Sequence, residues 1–162
     1  MARISLNEAL DNVEITYKQV LEISDSILGN ITNPINDLIK EIDNNINNLS
    51  VDQIRDYMLR CQLRAYEISE LKDKSAIKAE LAEALQKEKI AQAFNEADGS
   101  AAIKDKTAIL EASEETVAEN LYSLVASILK TKLDSLYRMV DTLKSILMSK
   151  MQEVKLSMNS AE

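Results

Sequence analysis

Apolar residues recur along this chain at alternating steps of three and four, with few interruptions. Leu6, Leu10, Val13, Tyr17, Val20, Ser24 and Ile27 form one such row, a heptad seam of three repeats. Ser5-Leu6-Asn7-Glu8 reads as a capping box at its start, where serine and glutamate side chains satisfy N–H groups that a helix end leaves open. Gly29 suits the position just past a helix end. The spacing therefore predicts a first helix over residues 5–28. Asn33-Pro34 then restarts the chain, with proline at the favoured first helical position. Ile35, Leu38, Ile42 and Leu49 make a short second row through the asparagine-rich stretch EIDNNINNLS. Asparagine favours caps and turns over helix interiors, so this second helix is expected to be weak.

Ser50-Val51-Asp52-Gln53 is a second capping box, and beyond it neither glycine nor proline occurs until Gly99. A third helix is thus expected from about residue 51 to residue 98, on the order of 70 Å long at the α-helical rise. Its apolar row is Ile54, Tyr57, Cys61, Ile68, Ala79, Ala82, Ile90, Ala93 and Ala97, and the many alanines permit a close partner helix. After Asp98-Gly99-Ser100 the pattern resumes through Val117, Leu121, Leu124, Ile128, Leu133, Leu136, Val140, Leu143, Leu147, Met151, Val154 and Met158. That row predicts a last helix over 101–157, either fairly continuous with an irregular start or broken near Ser113-Glu114-Glu115-Thr116, where serine is a suitable cap. Two long helices flanking a short glycine turn imply an antiparallel hairpin.

The expected fold is all-α: a long, coiled-coil-like helical hairpin over residues 50–162 that turns near Gly99, preceded by two N-terminal helices in an acidic segment over residues 1–49. Slender alanine-rich rods bury little by themselves, so a homo-oligomer is expected as well. Leu6, Leu10, Val13, Val20 and Ile27 in the first helix are the anticipated subunit contacts, with Leu136, Val140, Leu143 and Leu147 in the last.

Composition sharpens this picture. Aromatics are 4% of the chain, tryptophan and histidine are absent, and hydrophobic residues are 46%, a balance typical of long helices rather than mixed sheets. Cys61, the lone cysteine, excludes an internal disulfide and fits a reducing, cytoplasmic setting. No basic stretch followed by an apolar run suggests a secretory signal, and no apolar run is long enough to span a bilayer. Without secretion, the Asn30-Ile31-Thr32 and Asn48-Leu49-Ser50 glycosylation patterns are chance matches. No His is available as a base, the cysteine lies in an apolar row, and no glycine-rich phosphate loop is present, so neither catalysis nor a cofactor is expected. No His or Cys pair and no EF-hand spacing offers a metal site.

The net charge of −8 opposes nonspecific binding to nucleic acid or anionic membranes, but it is unevenly spread. Residues 1–60 hold five basic and ten acidic side chains, whereas residues 101–162 hold eight and nine. At about 100° per residue, Arg60, Arg64, Lys74, Lys78 and Lys89 share a narrow sector of the third helix, and Lys104 and Lys106 follow the turn. Two readings of that sector stand. A basic stripe on a rigid rod can bind a phosphate backbone by displacing condensed counterions. Alternatively, long cationic side chains flank an apolar seam and keep their heads wet, a reading that Glu67 and Glu96 in the same sector favour. In the last helix Lys130, Lys132, Arg138, Lys144, Lys150 and Lys155 alternate with Asp134, Asp141 and Glu153, the mark of a solvated face. The tyrosines and Phe94 are scattered rather than grouped as a platform for bases.

The stretch KAELAEALQKEKIAQAFNEADGSAAIKDKTAILEAS, Lys78 to Ser113, is followed by LYSLVASILKTKLDSLYRMVDTLKSILMSKM, with the phrase Asp141-Thr142-Leu143-Lys144-Ser145 inside it. This layout, over roughly residues 60–155, resembles small all-helical phage proteins, namely recombination mediators of the UvsY type. The resemblance implies a homo-oligomeric ring in the host cytoplasm that binds single-stranded DNA and helps load a recombinase onto strands coated by a single-strand-binding protein. It assigns phosphate contacts to Lys74, Lys78 and Lys89, with Lys104 and Lys106 secondary. Two other functions fit the residues: a structural or adaptor coiled-coil oligomer, and an acidic inhibitor that fills the DNA-binding groove of a host protein.

Overall fold

A computed structural model describes the backbone of residues 6–159 and, apart from residues 6–21, 23–25, 27 and 157–159, their side chains. Four α-helices account for most of it: α1 (Leu6–Asn45), α2 (Val51–Glu96), α3 (Ala101–Glu111) and α4 (Ser113–Asn159). A single 3-10 turn, Ile46–Asn48, follows α1, and no strand occurs among the described residues. The all-helical expectation is met.

The first departure from the expected elements is α1. The break anticipated at Gly29 and the restart at Pro34 are absent, and one helix of 40 residues runs through both. The reason is register. Leu28, Ile35 and Ile42 lie seven apart and are all buried, with Leu38 beside them, so an unbroken helix keeps one apolar row in phase where a break would rotate it. Pro34 removes one N–H donor and crowds the carbonyl four residues back, that of Asn30. Both Pro34 and Asn30 are exposed, so water can take over that carbonyl. The seam outweighs the proline. The capping box expected at Ser5 lies outside the described residues.

The weak second helix expected to run through the asparagine stretch to Leu49 is instead the end of α1, which stops at Asn45. Asn45 turns its amide back to donate to the Glu41 carbonyl at 2.7 Å, and Leu49 is extended and buried. At Ser50 the capping box is reciprocal: the Ser50 N–H donates to Gln53 Oε1 at 2.8 Å, and the Gln53 N–H donates to Ser50 Oγ at 3.2 Å. The helix it opens runs 46 residues, close to the expected length.

The turn at Gly99 has φ of +115°, a conformation that side-chain-bearing residues rarely adopt. A Cβ on Gly99 would lie 3.4 Å from the Ile103 side chain, an ordinary van der Waals contact, so it is the backbone angle that favours glycine here. After the turn, the helix begins at Ala101 and is interrupted only at Ala112. The Ala112 N–H still donates to the Ala108 carbonyl, and Thr116 N–H to that of Ala112, so the ladder is slackened rather than cut. Ser113 is the first residue of α4, not the cap before it.

The chain forms two units. Of the described residues, the first unit takes those up to Ile31 with Ser75–Val125, and the second takes Thr32–Lys74 with those from Ala126 onward. The boundary anticipated near residue 50 falls inside the second unit. Among the described side chains of the first unit, those buried are Leu28, Val125 and five alanines, among them Ala79, Ala82 and Ala112. In the second, Ile35, Ile42, Leu49, Ile54, Ile68, Leu129, Leu136 and Leu143 are fully buried. Burying an aliphatic side chain of that size is worth roughly 1.5–3 kcal/mol, several times what an alanine methyl offers.

Candidate functional site

The basic residues that the sequence singles out fall into partnerships with the chain's own side chains. In the second unit, Glu41 on α1 receives both guanidinium nitrogens of Arg60, at 2.9 and 3.2 Å, and the hydroxyl of Tyr57 at 2.8 Å. The Arg60 guanidinium also lies 5.1 Å from the Tyr57 ring centre. The hydrogen bonds from Arg60 and then Tyr57 hold the Glu41 carboxyl below its ordinary pKa; the same carboxylate raises those of Tyr57 and Arg60. Arg64 pairs with Glu67 at 2.7 Å, and Lys74 pairs with Glu70 one turn back.

In the first unit Lys89 on α2 reaches Glu115 on α4 at 2.9 Å, which lowers the glutamate pKa and raises that of the lysine. Gln86 donates to the Thr116 hydroxyl at 2.6 Å. Lys78 sits over the Tyr122 ring at 5.1 Å, and Lys104 over Phe94 at 5.9 Å. Lys106 is exposed and has no ion pair among the described residues. The sector is thus not a free basic stripe. Four of its five cations on α2 face a carboxylate of this chain, which cuts the potential a phosphate would meet.

The anticipated subunit contacts are distributed differently. Leu136, Val140 and Leu143 are buried in the second unit's own core, and Leu147 is half-buried, so the single chain already covers them. The side chains of Leu6, Leu10, Val13, Val20 and Ile27 lie outside the described residues.

A different surface, on α2, carries a run of exposed apolar groups. The inward face of α2 holds Ile54, Tyr57, Cys61, Ala65 and Ile68 in the second unit, and Ala79, Ala82 and Ala93 in the first. On the opposite side of the helix, Leu59, Leu63 and Tyr66 stand exposed in the second unit, and Ile77, Leu81 and Leu85 in the first. These six are 49–78% exposed. At about 100° per residue each trio falls within a quarter-turn or so of the helix surface, centred opposite the buried row. They lie off the apolar row that runs through Ile54, Tyr57 and Cys61. The signal was legible: 59, 63, 66 and 77, 81, 85 step by three and four, and Leu59, Glu70 and Leu81 are eleven apart, as are Leu63, Lys74 and Leu85. An eleven-residue spacing keeps a stripe nearly parallel to a straight helix.

Among the described residues no group of three His, Cys, Asp or Glu is placed to hold a metal. Cys61 is fully buried, and its thiol pKa is pushed up to about 11 by burial. Among the described residues no helix is long and apolar enough to cross a membrane, and every buried side-chain nitrogen and oxygen has a partner. A shallow apolar hollow beside Ile90, Ala91 and Phe94 is open to solvent.

No protein-family model matches this chain, no curated protein matches its sequence, and no solved structure matches it.

Proposed function

We propose that this chain is a non-enzymatic helical assembly protein that works as a multimer, its subunits joined through the outward apolar face of α2. The observation that supports this reading is the pair of exposed trios, Leu59, Leu63, Tyr66 and Ile77, Leu81, Leu85, on a helix whose other side is already buried. A helix apolar on two sides needs two partners, and one chain supplies one of them. The rod in this reading is the α2–α4 hairpin. Lys78 meets Tyr122, Gln86 meets Thr116 and Lys89 meets Glu115, so rising numbers on α2 pair with falling numbers on α4. The test is mass in solution by light scattering. Wild-type protein is expected to be a multimer at micromolar concentration, and Leu63→Gln with Leu81→Gln to reduce its mass while leaving helical circular dichroism unchanged. A wild-type monomer at that concentration removes the reading.

A second reading keeps the role that the mediator resemblance implies, a multimer that holds single-stranded DNA by its backbone for a recombinase. Two observations favour it: Lys106 has no ion pair among the described residues, and the Arg64–Glu67 and Lys74–Glu70 pairs are solvent-exposed and therefore easily exchanged for phosphate. A labelled oligonucleotide titrated over a salt series checks it. Affinity should fall steeply with salt and weaken in Lys74→Glu and Lys106→Glu. Absence of binding at low salt eliminates it and leaves the assembly reading intact.

A further inference from the structure

The outward face of α2 reads nearly the same from either end. Leu59, Leu63, Tyr66 and Glu70 are followed by Lys74, Ile77, Leu81 and Leu85. Reflected about position 72, Leu59 falls on 85, Leu63 on 81 and Glu70 on 74, and Tyr66 comes within one residue of Ile77. Apolar positions fall on apolar positions, and the one acid falls on a base. A stripe with that symmetry is complementary to itself when two helices run antiparallel.

We propose that two copies of this chain pair along α2 about a two-fold axis beside position 72. Leu59, Leu63 and Tyr66 of one copy then cover the partner's Leu85, Leu81 and Ile77, and Glu70 and Lys74 each face their opposite on the partner. The proposal rests on the self-association reading of this face and specifies its partner and geometry. A two-fold contact uses one patch on both subunits, which requires the self-complementarity seen here.

Charge supports the same register. Within one chain Glu70 and Lys74 already form an ion pair in the middle of the stripe, where a lone charge would oppose an apolar contact. Across the axis the two pairs make a ring of four alternating charges. A polar interruption of this kind fixes register and orientation in paired helices, because any slip leaves charges against leucine. A parallel pairing in register would set Glu70 against Glu70 and Lys74 against Lys74. Along one flank, Lys78 comes opposite the partner's Glu67, again base to acid. At the outer ends Asp56 comes opposite the partner's Glu88; both are exposed, and like charges there mark where the seam stops. From Leu59 to Leu85 the seam spans on the order of 40 Å of helix.

Site-specific cross-linking in the full chain tests the geometry. Leu63→Cys and Leu81→Cys are prepared separately; native Cys61 stays in place, since it is fully buried, with a thiol pKa pushed up to about 11 by burial, and is expected to stay unreacted. Both substitutions are at exposed positions, and circular dichroism checks that each variant folds. With a short bismaleimide, neither variant alone is expected to cross-link, whereas an equimolar mixture should convert up to half its chains to covalent dimer, the fraction that random pairing makes mixed. Cross-linking of each variant to itself would overturn the proposal in favour of a parallel contact. No cross-linking in the mixture, with a multimeric mass by light scattering, would overturn the two-fold α2 contact and leave self-association standing. No cross-linking with a monomeric mass would overturn both.

Discussion

Cys61 and Tyr57 sit four residues apart on the inward face of α2 and show how burial divides the work of neighbouring residues. Cys61 has no exposed surface, and the cost of burying a thiolate lifts its pKa to about 11. It acts as a small hydrophobe. Native protein at pH 8 should therefore leave a thiol reagent unreacted, with stoichiometric reaction only after unfolding; prompt reaction of the folded protein would contradict this burial. Tyr57 is buried by its ring and keeps its hydroxyl on Glu41. The carboxyls of Glu41 and Glu115 both have depressed pKa values in the fold, the first through Arg60 and the second through Lys89. A depressed carboxylate stabilises the folded state above its unfolded pKa, about 4.3, and that contribution is lost as pH falls through the folded value. Urea midpoints measured across acidic pH should drop more steeply for the wild type than for Glu41→Gln, Glu115→Gln. The raised pKa values of Tyr57 and Lys89 act in the opposite sense, their share being lost only as strongly alkaline pH is approached.

At the scale of elements, local signals were reliable wherever nothing opposed them. The Ser50 capping box, the long helix that it opens and the Gly99 turn all appear where the residues indicated. Pro34 is the exception. Glycine and proline so close together read as a helix end and a helix start, yet the apolar row through Leu28, Ile35 and Ile42 holds a single helix through both. Because Pro34 is exposed and only its ring and missing N–H oppose the helix, Pro34→Ala should stabilise the protein, by up to about 3 kcal/mol in a denaturant titration. A loss of stability would show that the proline geometry is itself required. Gly99→Ala should act the other way, costing on the order of 1–2 kcal/mol, because alanine at a positive φ is strained.

At the scale of the whole molecule, the large side chains packed in the second unit are a source of stability that can be measured directly. The second unit holds the fully buried large side chains, and Leu136→Ala there should cost roughly 2–5 kcal/mol, read from the denaturant midpoint. Assembly through α2 also predicts a sorting experiment. Wild type mixed with the double swap Glu70→Lys, Lys74→Glu should yield the two homodimers and few mixed ones, since a mixed antiparallel pair sets lysine against lysine and glutamate against glutamate. An excess of mixed dimers would point to parallel helices.

Helix content, the Ser50 start and the Gly99 turn were determined by the sequence alone, because each depends on residues within a few turns of one another. Ile54, Tyr57, Cys61, Ile68, Ala79, Ala82 and Ala93 of the expected apolar row are buried, and Ile90 and Ala97 are half-buried. Which of two apolar rows on α2 turns inward could not be read that way, since both have helical spacing and burial depends on partners distant in the chain. The same holds for the basic sector. Arg60 and Lys89 have the spacing of a phosphate stripe, but Glu41 lies 19 residues away from the first and Glu115 26 residues from the second, and only the folded chain brings each carboxylate to its cation. Periodicity reports what a helix can bury; tertiary packing decides what it does bury and which charges remain free.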